Sequence, residues 1–410
     1  MSRVRVVSLL VGVLVAAGCG GGNGSGADAG PQGACPVKPF TMAFPSEEDP
    51  QFCSMSWDGT KPELSLTECG EVFESCSDTG SVPDFSCIDT PPGPPPATPA
   101  TVTMRGYVDV FSSGPNADKA RIQVFRDSDL DGVEDITTAT PMTTFDIVLD
   151  ATTLASARAC PQSKDFMQGQ CVLPTNDCGG QCDKVMGAGQ FCYQTSCEDL
   201  QRWEVQYEIP NIPTNTFLVV RTVGLDNQGQ PQVRGNTWAP MIQYNAYFAT
   251  NDHTCADALD LDCIDTSGAT PIYQVNVNLL SSQDYMTIPT TAGLSAGVPP
   301  GHGAFAGEVH DCNGVRVQHA QVGFDPGRDP SKLVFFNGNP VSTLPRIQQA
   351  ADGTDPLGLY AGLDDAPGPI DLVAIGNMGG TVRDIGRFTA RVWADSVTLV
   401  RIGGGRPPQP

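Results

Sequence analysis

The sequence predicts an all-β protein: two seven-stranded β-sandwiches preceded by a small disulfide-rich module. Three observations predict it. Runs of alternating apolar and polar residues recur from residue 102 to residue 403, separated by turn residues. The 410 residues include 45 glycines and 35 prolines, a density that suits short strands and breaks long helices. The 15 cysteines fall in blocks, the first at 35–87, where apolar periodicity is weak.

The elements follow in order. Arg3 and Arg5 precede an apolar run, Val6 to Ala17, which is too short to span a bilayer. Ala16-Ala17-Gly18 then places small residues before Cys19. This segment resembles the bacterial lipobox, with Ala16 where leucine is usual. The resemblance implies that residues 1–18 are a lipoprotein signal peptide and that Cys19 becomes a lipidated N-terminus. Gly20, in place of aspartate, implies sorting to the outer membrane of a Gram-negative bacterium. The alternative is an ordinary cleaved signal with Cys19 as a passive residue. Residues 19–34 read as a Gly-rich tether, 35–90 as a Cys-rich module and 91–101 as a semi-rigid Pro-rich linker.

The first sandwich is expected over 102–290. TVTMRGYVDVF, KARIQVFRD, MTTFDIVLD, RWEVQYEI and TFLVVRTVG read as strands, followed by strands at about 238–249 and 272–288. Residues 158–200 read as a Cys-rich insertion. The second sandwich is expected over 298–404, from AFAGEVHD through RVQHAQVGF, KLVFF, LGLYAGL, IDLVAIG and RFTARVWA to SVTLVRIG.

With Cys19 set aside, an even number of cysteines remains, as an exported disulfide-bonded chain requires. Cys35, Cys53, Cys69, Cys76 and Cys87 form one block. Cys160, Cys171, Cys178, Cys182, Cys192 and Cys197 form a second, and Cys255, Cys263 and Cys312 a third. The first and third blocks hold odd counts, so full pairing needs a bridge out of each. Cys255 and Cys263 can pair locally, which leaves Cys312 to reach the module at 35–87.

The two strand-rich stretches also match each other. Gly106-Tyr107-Val108 corresponds to Gly307-Glu308-Val309, and Ala120-Arg121-Ile122 to Ala320-Gln321-Val322. Tyr207 leads through Pro213 to FLVVRTVG, as Tyr360 leads through Pro367 to IDLVAIG. This order resembles the carboxypeptidase regulatory-like domain, closely over 303–403 and more loosely over 102–290. The resemblance implies transthyretin-like (prealbumin-like) sandwiches and a non-catalytic accessory role.

Net charge is −23, with 46 acidic against 23 basic residues, which disfavours a nucleic-acid partner. DSDLDGVED at 127–135 alternates Asp127, Asp129, Asp131 and Asp135 around Gly132, a pattern suited to a calcium loop. Thr138 stands where an EF-hand needs glutamate, and a solvated acidic turn is the alternative. His253, His302, His310 and His319 match no zinc-enzyme spacing, and no G-x-S-x-G elbow occurs. Trp203 and Trp393 read as core, whereas Trp238 is the candidate for an exposed sugar-binding platform. The expected function is a non-enzymatic surface lipoprotein with a structural, adhesion or assembly role. Its partners are the membrane through the N-terminal lipid, and polysaccharide or other envelope proteins. A carbohydrate-binding surface protein is the alternative.

Overall fold

In the computed structural model the alternating runs form strands in three packed layers. The structure describes residues 75–77, 82–89, 100–111, 119–148, 205–232, 238–324, 333–336, 345–346, 353–378 and 381–403, apart from 251, 256–260 and 356. It also gives the backbone of short strands within 55–64 and 165–199.

The middle layer is a ten-stranded sheet. Its order is Pro345–Arg346, Leu333–Phe336, Leu359–Asp365, Gly303–His310, Val397–Val400, Met241–Tyr247, Phe217–Gly224, Lys119–Arg126 and Thr143–Val148. The short strand Ile402–Gly403 also pairs with Gly303–His310. The sheet draws strands from both stretches expected as sandwiches. The join is parallel, Met241 opposite Val397 and Tyr244 opposite Val400.

Side-chain alternation sends residues to two buried faces. On one face Phe217, Val219, Phe305, Phe335, Tyr360 and Val400 pack with Leu372 and Phe388 of a three-stranded sheet and with Trp393 just beyond its last strand. That sheet consists of Gln321–Phe324, Gly368–Met378 and Thr381–Val392. On the other face Ile122, Val124, Leu218 and Val220 pack with Met104, Tyr207 and Val277 of a six-stranded sheet centred on Thr101–Phe111. Further along this face Met241, Ala304, Ala361 and Val397 lie under the helix Ser282–Thr291. Phe217–Gly224 is buried along its whole length, which is why FLVVRTVG is a continuous apolar run and not an alternating one.

Several expected strands are revised; RVQHAQVGF divides at His319, whose φ is 64°, into Val317–Gln318 and Gln321–Phe324, SVTLVRIG divides at Arg401, and two runs of the first stretch change further. The run at 272–288 remains extended only to Ser281. There the Ser281 hydroxyl accepts from the Asp284 backbone N–H at 3.0 Å and donates to the Asp284 carboxylate at 2.6 Å, a capping arrangement that starts the helix. The run at 238–249 divides at Pro240, whose carbonyl instead accepts from Val397 N–H at 3.0 Å.

The corresponding positions of the two stretches share one geometry. Gly106 is opposite Tyr207 in an antiparallel pair, and Gly307 is opposite Tyr360. The Tyr207 hydroxyl donates to Val275 O, and the Tyr360 hydroxyl to Val400 O at 2.7 Å. A Cβ on Gly106 would lie 1.8 Å from Val275 O, and one on Gly307 would lie 1.8 Å from Val400 O. Only glycine admits the carbonyl there. The parallel ladder skips at this point in both stretches: Gln274 pairs with Arg105 and Val277 with Val108, as Leu399 pairs with Ala306 and Ile402 with Val309. Gly224 is opposite Ala120, and the pairing of Ile375 with Gln321 sets Gly376 level with Ala320.

The end of the N-terminal module is fastened to this β body. Cys87 and Cys312 form a disulfide with a Cα–Cα distance of 5.7 Å. Beside it Cys312 N–H donates to Asp84 O at 2.7 Å and Asp84 N–H donates to the Asp311 carboxylate at 3.0 Å. Phe85 enters the core, and Ser77 pairs with Val317. Cys255 and Cys263 form a local bridge with Cα–Cα 5.0 Å. The side chains of the remaining cysteines, Cys35 to Cys76 and Cys160 to Cys197, lie outside the described residues.

Tyr360→Phe leaves the Val400 carbonyl without its hydroxyl partner and is expected to cost about 1 kcal/mol. Gly307→Ala forces the strands apart and is expected to cost about 3 kcal/mol. Urea unfolding of the full chain checks both. Midpoints unchanged from wild type would remove the tyrosine–carbonyl contact from the list of stabilising interactions.

Candidate functional site

Cys19 lies outside the described residues. The acidic loop is described in full. Lys119–Arg126 leads into a single 3-10 turn, Asp127–Leu130, and a second turn follows at Ile136–Thr138. Leu130 and Ile136 anchor both turns in the core. The Asp135 carboxylate accepts from Thr137 N–H at 2.9 Å and Thr137 Oγ1 at 2.7 Å, and these bonds hold its pKa below the ordinary carboxylate value. Glu134 pairs with Arg391 at 2.6 Å, and the Arg391 guanidinium lies 5.3 Å from the Trp393 ring centroid. Asp135 is therefore committed to a helix cap and Glu134 to an arginine. The structure does not gather Asp127, Asp129, Asp131 and Asp135 into one coordination group. Among the described residues, no group of three or more His, Cys, Asp or Glu side chains is placed to hold a metal ion.

Trp238 is corrected from an exposed platform to a core residue. It is 3% exposed, because Trp238–Ala239 pairs with Val277–Ser281 and lays the indole against Gly224. A Cβ on Gly224 would meet the indole at 2.3 Å. Trp393 is core, as expected, and Trp203 lies outside the described residues.

A second polar cluster among the described residues is one that sequence spacing does not reveal. Glu308 reaches His310 Nε2 and Arg316, each at 2.7 Å. His310 Nδ1 faces Gly314 O at 2.6 Å, and a carbonyl only accepts, so this nitrogen carries a proton. The contact between Nε2 and Glu308 is favourable only with a proton between them. Burial, then the charge of Arg401, push the His310 pKa down against that proton, while Glu308 pulls it up. Burial would raise the Glu308 pKa, but Arg316 and the His310 hydrogen bond outweigh it and hold this carboxyl well below its ordinary value. Arg401 turns to Asp262, and its backbone carbonyl accepts from Asn245 Nδ2 at 2.7 Å. Asp311, next along the chain, accepts from Asn313 N–H and Val315 N–H, each at 2.9 Å, and so shapes the turn that carries Cys312. His310 is 6% exposed, so the cluster braces the disulfide turn and does not present a ring to solvent. Glu308 and His310 share a strand face two residues apart, a weak sequence signal. Arg401 joins them only through the fold.

His302 is separate from this group and pairs with Asp364 at 2.7 Å. His319 is buried, with a backbone φ of 64°. Comparison with family models, with curated proteins and with solved structures finds no match for this chain.

Glu308→Gln removes the charge between Arg316 and His310 and is expected to cost about 2 kcal/mol at neutral pH, a low value for a buried pair because Glu308 keeps partial contact with water. The folded-state pKa of Glu308 is lowered, so its contribution is complete above the unfolded value of roughly 4.3 and fades as pH falls below it. Urea midpoints of wild type and variant between pH 7 and pH 3 should therefore converge on acidification. A gap independent of pH would contradict the assignment.

Proposed function

We propose that this chain is a non-enzymatic lipoprotein of the cell envelope, anchored through a lipid on Cys19, with a structural, adhesion or assembly role at the surface. The observation that carries the reading is the order of Arg3 and Arg5, a short apolar run, small residues and Cys19. Two disulfides in the described residues support it, because such bridges persist in oxidising compartments. The Cys87–Cys312 bridge adds a mechanical argument. It ties the module that follows the tether onto the β body, so a pull on the anchor reaches the body through a covalent bond and not through the Pro-rich linker alone.

The paired glycine–tyrosine geometry supports reading both stretches as related transthyretin-like sandwiches of the carboxypeptidase regulatory-like kind. The carbohydrate reading loses its named aromatic, since Trp238 is buried. The reading places the mature start at Cys19 and the protein in the outer membrane.

Intact-mass measurement of the detergent-extracted protein tests the anchor. The expected mass is that of residues 19–410 carrying several acyl chains, enough for stable membrane attachment. A mature chain that starts elsewhere, or one with an unmodified Cys19, would overturn the proposal.

A further inference from the structure

We propose that the cavity beneath the helix Ser282–Thr291 binds the end of a neutral hydrocarbon chain. The cavity lies between this helix and the ten-stranded sheet, and its volume is about 60 Å³. That is roughly four times the space one water needs, yet the surface that the wall exposes to the cavity is apolar. A buried water requires two to four polar partners, and the wall exposes no polar surface to supply them. Methylene and methyl groups suit such a wall.

The hollow is written into the sequence. Ala306 and Ala361 are directly opposite each other in the sheet, and Ala304 lies on the same face. Larger aliphatic residues at these strand positions would fill the space against Tyr285 and Pro289 of the helix. The cavity is also partly open, which separates it from an enclosed packing void. Its cover is a single ten-residue helix with a proline inside, and Met286 on that helix is 42% exposed. Pro289 has no N–H to bond the preceding turn, so this cover is held by fewer backbone bonds than an uninterrupted helix.

Charge sets the class of ligand. Asp284 is the acidic residue in the lining, and its carboxylate is turned to Ser281. No cation lines the wall, and the chain carries a net charge of −23. An anionic headgroup at the mouth is disfavoured. The fitting ligand inserts a short alkyl end and leaves an uncharged remainder at the opening. The inference does not depend on the envelope reading.

The test uses the full chain with methyl-labelled methionine, titrated with 1-butanol, 1-pentanol and 1-hexanol. Met241 lines the cavity, and Met104 lies in the core on the six-stranded sheet and serves as the control. The Met241 methyl signal should move saturably while Met104 stays fixed. Affinity should rise about fourfold for each methylene that enters the cavity and level off once it is filled. Ala361→Leu fills the cavity and should abolish the Met241 response. If that variant loses its folded spectrum, Ala306→Val fills the same space by a smaller step and is read in the same way. No saturable change at Met241, equal changes at Met241 and Met104, or an undiminished response in the filled variant would each overturn the proposal.

Discussion

The architecture depends on one contact made twice: a buried tyrosine hydroxyl donating to a carbonyl that glycine alone leaves room for. Tyr207 with Val275, and Tyr360 with Val400, each close a place where a parallel ladder skips a step. An unpaired buried carbonyl would cost about 1–3 kcal/mol, so the hydroxyl removes a penalty as much as it adds a bond. Burial raises the pKa of both tyrosines well above the ordinary value, which keeps each hydroxyl a donor. The strand facing each tyrosine is thereby fixed in register, and a one-residue slip would turn every core side chain outward.

From that registered pair the rest follows. Gly303–His310 aligns Val397–Val400, and Val397–Val400 then accepts Met241–Tyr247 along its other edge. The result is a sheet with both faces covered, one by the three-stranded sheet and the other by the six-stranded sheet and the helix. Polar links hold the layers at their margins. Glu134 with Arg391 joins the acidic loop to the last long strand, and Asp262 with Arg401 joins the disulfide loop of the first stretch to the end of the second. Glu134 of the acidic loop thus meets an arginine at the loop's margin.

Much of this was legible in residue order. The glycine and tyrosine positions repeat in the same sequence context, and odd cysteine counts point to a bridge between the module and Cys312. The alternation of Tyr207, Glu208 and Ile209 gives the correct inward face. What escaped has physical causes. Parallel pairing of Met241–Tyr247 with Val397–Val400 joins residues more than 150 positions apart and leaves no local pattern. The extended run to residue 288 masks a helix whose only sequence signal is Ser281 followed three residues later by Asp284. Trp238 sits in a polar, turn-like context, RGNTWAP, and its burial comes from Gly224 on a neighbouring element. The Glu308, His310, Arg316 and Arg401 cluster spans strands and turns, so no spacing rule could assemble it.

One continuous sheet makes the two repeated stretches a single cooperative body. Scanning calorimetry of the full chain with disulfides intact tests it most directly. One transition is expected, with calorimetric and van't Hoff enthalpies in agreement, and a Tyr360→Phe variant in which that whole transition moves. Two resolved transitions, only one of them shifted by Tyr360→Phe, would contradict it.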